Sequence, residues 1–330
     1  MSSLRRGFVL SLAVVAALLA AARGPAETPA AAPAKPAGPR IVVLGTAQDG
    51  GMPQASCTCK RCTAARQDAH LARYVASLGI VLPGEKKLYL VDATPDVPRQ
   101  LELLRPYRSP GDGRLDRHPL DGIFLTHAHM GHYLGLAHFG FESVHTDKMP
   151  VWGSQRMVDF LGKNGPWDQL VRFEEIRPQA ITPGQPVSLG EGVSVDAFTV
   201  PHRDEYTDTL AYVIRGPGAT VLYVPDTDTW QTWAPSLEER VASLGITTAL
   251  LDATFYSMDE LPWRDVTKVR HPLVVNSMDR LQGLVDAGKL KVIFTHLNHT
   301  NPALDDDSPE RQTVVKRGFS VAREGQEIPL

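Results

Sequence analysis

The chain has 330 residues, 43% of them hydrophobic and 22% charged, with a formal net charge of -3. This is globular composition, with enough length for one large or two smaller domains, and it argues against disorder along the whole chain. The charge supplies no broad basic field, so no nucleic-acid partner is expected.

The segment MSSLRRGFVLSLAVVAALLAAARG has a basic head, an apolar run from Phe8 to Ala22 and small residues after it. That order predicts an export signal over residues 1–22, a periplasmic protein, and a mature form without a membrane span. Arg5-Arg6-Gly7-Phe8-Val9 is similar to the twin-arginine signal, with ordinary Sec export as the open alternative. Residues 23–39 are rich in Pro and Ala and read as an extended tether. Folded structure is expected from 40 to 330.

The folded part alternates short β-rich runs with helical stretches, without a visible fixed-period repeat, which predicts one mixed α/β (α+β) domain. Strands are expected at 41–46, 76–82, 87–93 and 121–127, then at 193–200, 210–216, 220–226, 247–253 and 291–296. Helices are expected at 95–105, 132–139, 154–162, 236–244 and 272–287. All three cysteines fall after the first strand in ASCTCKRC, as Cys57, Cys59 and Cys62. An odd number of cysteines in an exported chain favours a use other than disulfides, and three clustered thiolates suit a structural zinc that still needs a fourth ligand. A reduced or partly disulfide-bonded loop is the alternative.

The fourth predicted strand runs into HAHMGH, with His127, His129 and His132 within six residues. Neutral imidazole is a common metal ligand, and a trio this dense is hard to explain as packing. His70, His118 and His145 are isolated and read as bystanders. Three later runs also end in or lead into a ligand type: His202 after Val200-Pro201, Asp226 in YVPDTD, and His296 in FTHLNHTNP. Ligands at the ends of neighbouring strands can meet at one sheet edge.

These residues resemble the metallo-β-lactamase superfamily signature, H-x-H-x-D-H followed by a distant His, an Asp and a final His. The resemblance covers residues 41 to about 302. It implies a four-layer αββα sandwich with metals at one edge. It further implies a first metal on His127, His129 and His202, a second on His132 and His296, and Asp226 bridging. The departure is Gly131, where the family pattern has Asp. Two outcomes stay open: one tight and one weak catalytic metal, which is the favoured expectation, or another oxygen ligand in the gap. Asp204, Glu205 and Asp208 are the nearest candidates by sequence. The chain also resembles a subgroup containing the cyclic phosphodiesterase of the carbon–phosphorus lyase pathway and the pyrroloquinoline quinone biosynthesis protein B. In that phosphodiesterase a C-x-C-x-x-C loop and a late histidine bind structural zinc, which agrees with His299 as the fourth ligand here by ligand counting.

The resulting expectation is a metallo-hydrolase that uses a metal-bound hydroxide on a small-molecule substrate, with a phosphodiester favoured. The six residues His127, His129, His132, His202, Asp226 and His296 would carry catalysis, with one structural Zn and one or two catalytic Zn or Mn ions. An iron-dependent oxygenase is the alternative, and a non-enzymatic metal-binding protein is a third. Arg203 could bind a substrate anion or form a surface ion pair. Tyr133, Phe139, Trp230 and Trp233 are expected in packing rather than in a pocket. The oligomeric state is not legible.

Overall fold

The computed structural model describes residues 38–108, 117–260, 265, 268 and 270–330. The expected export signal and nearly all of the tether lie outside the described residues. Among the described residues the first sheet contains Arg40–Gly45 (β1), Ser77–Leu82 (β2), Lys87–Val91 (β3), Gly122–Phe124 (β4), Met149–Gly153 (β5) and Ile176–Ala180 (β6). The second contains Val187–Gly190 (β7), Val193–Val200 (β8), Thr209–Arg215 (β9), Thr220–Val224 (β10), Thr248–Asp252 (β11), Lys291–Thr295 (β12) and Ser320–Val321 (β13). Glu327–Pro329 (β14) returns to the first sheet, so the orders are β14-β1-β2-β3-β4-β5-β6 and β13-β12-β11-β10-β9-β8-β7.

The strands read as almost continuous apolar runs because both faces of each sheet are covered. In β1, Ile41 and Val43 enter the core between the sheets, with Tyr89, Phe124, Tyr212, Tyr223 and Ile293. Val42 and Leu44 turn outward and pack beneath the helices Val97–Leu104, Gln155–Lys163 and Trp167–Arg172. On the outer face of the second sheet, Leu237, Val241, Val274, Met278, Leu281 and Val314 bring three more helices onto Leu222, Val224 and Phe294. The result is the expected four-layer αββα sandwich, in one unit from Gly38 to Leu330.

The two sheets repeat one pattern. From β14 to β6 the pairings are three antiparallel and then three parallel, and the same holds from β7 to β13. This two-fold repetition is invisible as a sequence period. It places β1 and β8 at equivalent positions, and it puts the carboxyl ends of β3, β4, β10, β11 and β12 where the polar residues gather. The helix expected at 132–139 is instead a short α-turn at Met130–Tyr133 followed by 3-10 turns at Leu134–Phe139. His132 sits in that α-turn, so the carbonyl of His129 accepts from His132 N at 2.9 Å. Strands β5, β6 and β7 and the helices Lys60–Gln67, Trp167–Arg172 and Pro309–Lys316 were not legible as elements.

Candidate metal centre

The six strand-end residues converge. His127 Nε2 and His202 Nε2 lie 3.3 and 3.2 Å from Asp226 Oδ2, and His129 Nδ1 lies 3.8 Å from the same oxygen. His202 Nε2 is also 3.2 Å from His129 Nδ1. On the other side of Asp226 Oδ2, His132 Nε2 is at 4.0 Å and His296 Nε2 at 3.9 Å. Ligands about 2.0–2.1 Å from one tetrahedral ion are roughly 3.3 Å apart, so the first group has the spacing of a metal cage and Asp226 Oδ2 is common to both groups.

The remaining ring atoms are held from behind. His132 Nδ1 donates to Asp92 Oδ2 at 2.8 Å. Thr126 Oγ1 donates to Asp92, so it accepts from His127 Nδ1 at 3.0 Å. Thr254 Oγ1 likewise donates to Asp252 and accepts from His296 Nδ1 at 2.9 Å. His202 Nδ1 faces Asp228 Oδ1 at 3.4 Å. The hydrogen-bonded partners of His127, His132 and His296 fix those rings and leave the opposite nitrogen for a metal. The inward atoms have nothing to bond: His127 Nε2, His132 Nε2, His296 Nε2, Asp49 Oδ1 and Asp226 Oδ1 are buried without a hydrogen-bond partner. Leaving such groups unpaired costs on the order of 1–3 kcal/mol each, and more for charged ones. Divalent cations would satisfy them, so the residues present fit metal ions. His296 also takes a left-handed backbone conformation (φ 60), which its surroundings must hold.

The charges behave accordingly. Burial, with the charge of His132, drives His127 well below the ordinary imidazole range. Burial opposes charge on His132 too, but Asp92 and Asp49 hold it well above that range. Against burial, Asp226 and Asp228 push His202 up to about 10. Asp226 and Asp49 stay well below the usual carboxylate range despite burial, because histidines surround them. Protons on histidine thus balance the buried carboxylates, and a bound cation would displace them.

Two residues here were missed. His271 Nδ1 donates to Asp252 Oδ2 at 2.8 Å and lies 3.3 Å from Asp226 Oδ1. Asp49, on the loop after β1, places Oδ1 3.3 Å from His132 Nε2 and 3.9 Å from His296 Nε2. A carboxylate does stand beside the second group, where a shortfall was expected: it is Asp49, distant in sequence from that group, rather than Asp204, Glu205 or Asp208. Glu205 instead accepts from His129 Nε2 at 2.9 Å, and Asp204 accepts from Thr209 Oγ1 at 3.5 Å. The signal available was strand-end position, had the rule been extended a few residues past β1 to TAQDGG.

The cysteine cluster forms separately. His299 Nδ1 is 3.6 Å from Cys57 Sγ, 3.6 Å from Cys59 Sγ and 3.5 Å from Cys62 Sγ. Bond lengths of about 2.3 Å to sulfur and 2.0–2.1 Å to nitrogen give roughly 3.6 Å between S and N on a tetrahedral zinc. Burial pushes the Cys62 thiol up to about 12, with Cys57 and Cys59 adding to it, and a cation bound there would favour its thiolate.

His145 pairs with Glu175 at 3.1 Å, and among the described residues neither it, His70 nor His118 joins a metal-capable group. Phe139 is fully buried and Tyr133 nearly so. Trp230 and Trp233 donate to Ser277 and Thr227, so these four aromatics are packing residues. Arg203 pairs loosely with Glu205 at 3.5 Å and is mostly exposed. Arg270, more exposed still, lies 3.7 Å from Asp228.

A Beta-lactamase superfamily domain model matches residues 88–297. The chain is 28% identical over 317 residues to a "Coenzyme PQQ synthesis protein B" of Methylobacterium radiotolerans, covering 88% of this chain and 100% of that one. A Rhodopseudomonas palustris protein of the same name is 28% identical over 314 residues, covering 88% and 99%. Among solved structures, Zn(2+)-bound PqqB from Methylobacterium extorquens superposes with a TM-score of 0.73 at 23% identity, over 88% of this chain and 100% of that one. A diphosphatase from the PhnP family gives 0.60 at 20% identity, over 88% and 97%. At these identities the structures show the shared fold.

Proposed function

The chain belongs to the beta-lactamase superfamily, and from that premise we propose that it is a metal-dependent hydrolase acting on a small phosphodiester. The observation that carries the reading is the set of three imidazole nitrogens, from His127, His129 and His202, grouped about Asp226 Oδ2, with Thr126 and Glu205 hydrogen-bonded behind His127 and His129. Three neutral imidazoles bring no negative charge to an ion and leave Asp226 as its carboxylate neighbour; when bound, such an ion would supply Lewis acidity and lower the pKa of water to about 7. Asp226 offers one oxygen to both halves of the site, while His271 sits against its other oxygen. Thr126, Thr254, Asp92 and Asp252 hold the histidine rings in orientation, so little reorganisation is needed when charge develops. Arg203 and Arg270, one beside His202 in sequence and one against its partner Asp228, are placed to attract an anionic substrate. The phosphoryl class is chosen with the fold shared with a PhnP-family diphosphatase in view.

One observation favours a second reading. Asp49, His132 and His296, three of the four residues of the second group beside Asp226, match the two-histidine, one-carboxylate ligand type of mononuclear iron oxygenases. Hydrolysis of bis-p-nitrophenyl phosphate by protein loaded with zinc, with manganese or with iron under anaerobic conditions separates the two. Turnover without oxygen that His127→Ala abolishes supports the hydrolase. Oxygen consumption with iron and no hydrolysis replaces it with the oxygenase, and neither activity would sink both. Export by residues 1–22 belongs to the same proposal; full-length chain retained in the cytoplasm on cell fractionation would refute it.

A further inference from the structure

Residue 131 lies between two site histidines, where the family pattern calls for a carboxylate. In this chain the space is taken. A Cβ on Gly131 would stand 2.2 Å from Asp49 Oδ1 and 2.7 Å from Asp49 Cα, far inside ordinary contact distance. Asp49 is mostly buried, with 15% of its side chain exposed. Its Oδ2 accepts from Gln48 Nε2 at 2.9 Å, whereas Oδ1 is buried without a partner and faces two imidazole nitrogens in the same condition.

The backbone fixes this arrangement. Leu297 N donates to Thr46 O at 2.8 Å and Gln48 N donates to Leu297 O at 2.9 Å, so the Asp49 loop is zipped to the residue directly after His296. The fold repeat supplies a parallel. Strand β8 runs on to His202 in the first group, and β1, its equivalent in the other sheet, runs on to Asp49 in the second.

We propose that Asp49 is the carboxylate ligand of the second metal ion, and that position 131 is glycine because Asp49 fills the space its side chain would need. The inference rests on the metal-site reading above. It turns the missing Asp from a weakened site into a relocated ligand. It also means that Gly131→Asp would collide with the loop and leave the site no better supplied.

The test is manganese binding by the full chain, followed by equilibrium dialysis with elemental analysis and by electron paramagnetic resonance. Wild type is expected to take two Mn(II) into the histidine groups and to show an exchange-coupled pair. In Asp49→Ala the second equivalent should weaken at least tenfold, since even an outer-sphere partner is worth that much. The spectrum should revert to isolated Mn(II), with first-site affinity unchanged within about threefold. Asp49→Asn keeps the shape without the charge and should fall between the two, which guards against misfolding of the alanine variant. Gly131→Ala should also lose the second ion. If Asp49→Ala and Asp49→Asn both keep two ions and the coupled spectrum, the assignment is overturned while the metal-site reading stands. If wild type binds no ion that His127→Ala removes, both fall together.

Discussion

Replacing Cys59 with serine separates metal binding from local backbone effects. Cys59 does two jobs: its sulfur lies 3.6 Å from His299 Nδ1, and it caps the helix Lys60–Gln67 by accepting from Cys62 N. Serine is among the best N-cap residues, so Cys59→Ser keeps the cap and removes a thiolate, whereas Cys59→Ala loses both at an extra cost of about 1 kcal/mol. A zinc ion at a concentration about 1,000 times its Kd stabilises the folded chain by about 4 kcal/mol. At about 2 °C per kcal/mol for a chain this long, the serine variant should melt roughly 8 °C below wild type, and the alanine variant about 2 °C lower still. Differential scanning fluorimetry with and without chelator, paired with zinc analysis, checks this. Chelator should lower the wild type toward the serine variant and shift the variant's cysteine site no further. Wild-type zinc content and melting temperature in Cys59→Ser would refute a zinc at this cluster.

Thr254→Val removes the oxygen that accepts from His296 Nδ1 while keeping shape; second-site metal affinity measured by Mn(II) titration should fall about 10- to 100-fold, and unchanged affinity would show that the hydroxyl does not orient the ring. Burial holds the Glu324 carboxyl at a pKa of about 7, with Asp96 adding to it against the opposing Tyr74 N–H and Arg73. Its folded pKa lies above the unfolded value, so the native state keeps a proton the unfolded chain releases, and stability is lost as pH rises from about 4.5 to 7. Glu324→Gln should therefore be neutral near pH 4.5 and stabilising by at most about 3 kcal/mol above pH 7; a pH-independent difference in denaturant melts would contradict it.

The six strand-end residues and the cysteine loop were legible because each carries a rare, chemically loaded side chain at the end of an apolar run. Asp49 and His271 were not: Asp49 lies beyond the end of β1 rather than at it, and a lone His such as His271 in a loop is indistinguishable from a surface residue until the chain is folded. The strands Ile176–Ala180 and Val187–Gly190 were hidden for a different reason: they are short, and partly exposed edges carry mixed polarity.

What the sequence alone determined is the layered α/β architecture, two sets of ligand types and the position at which the family motif breaks, because these depend on local pattern and residue chemistry. Only the tertiary structure decided what the break means. Whether an absent carboxylate is lost or supplied from elsewhere depends on which loop reaches the sheet edge, and here the zipper between Thr46–Gln48 and Leu297 carries Asp49 into the space that Gly131 leaves open.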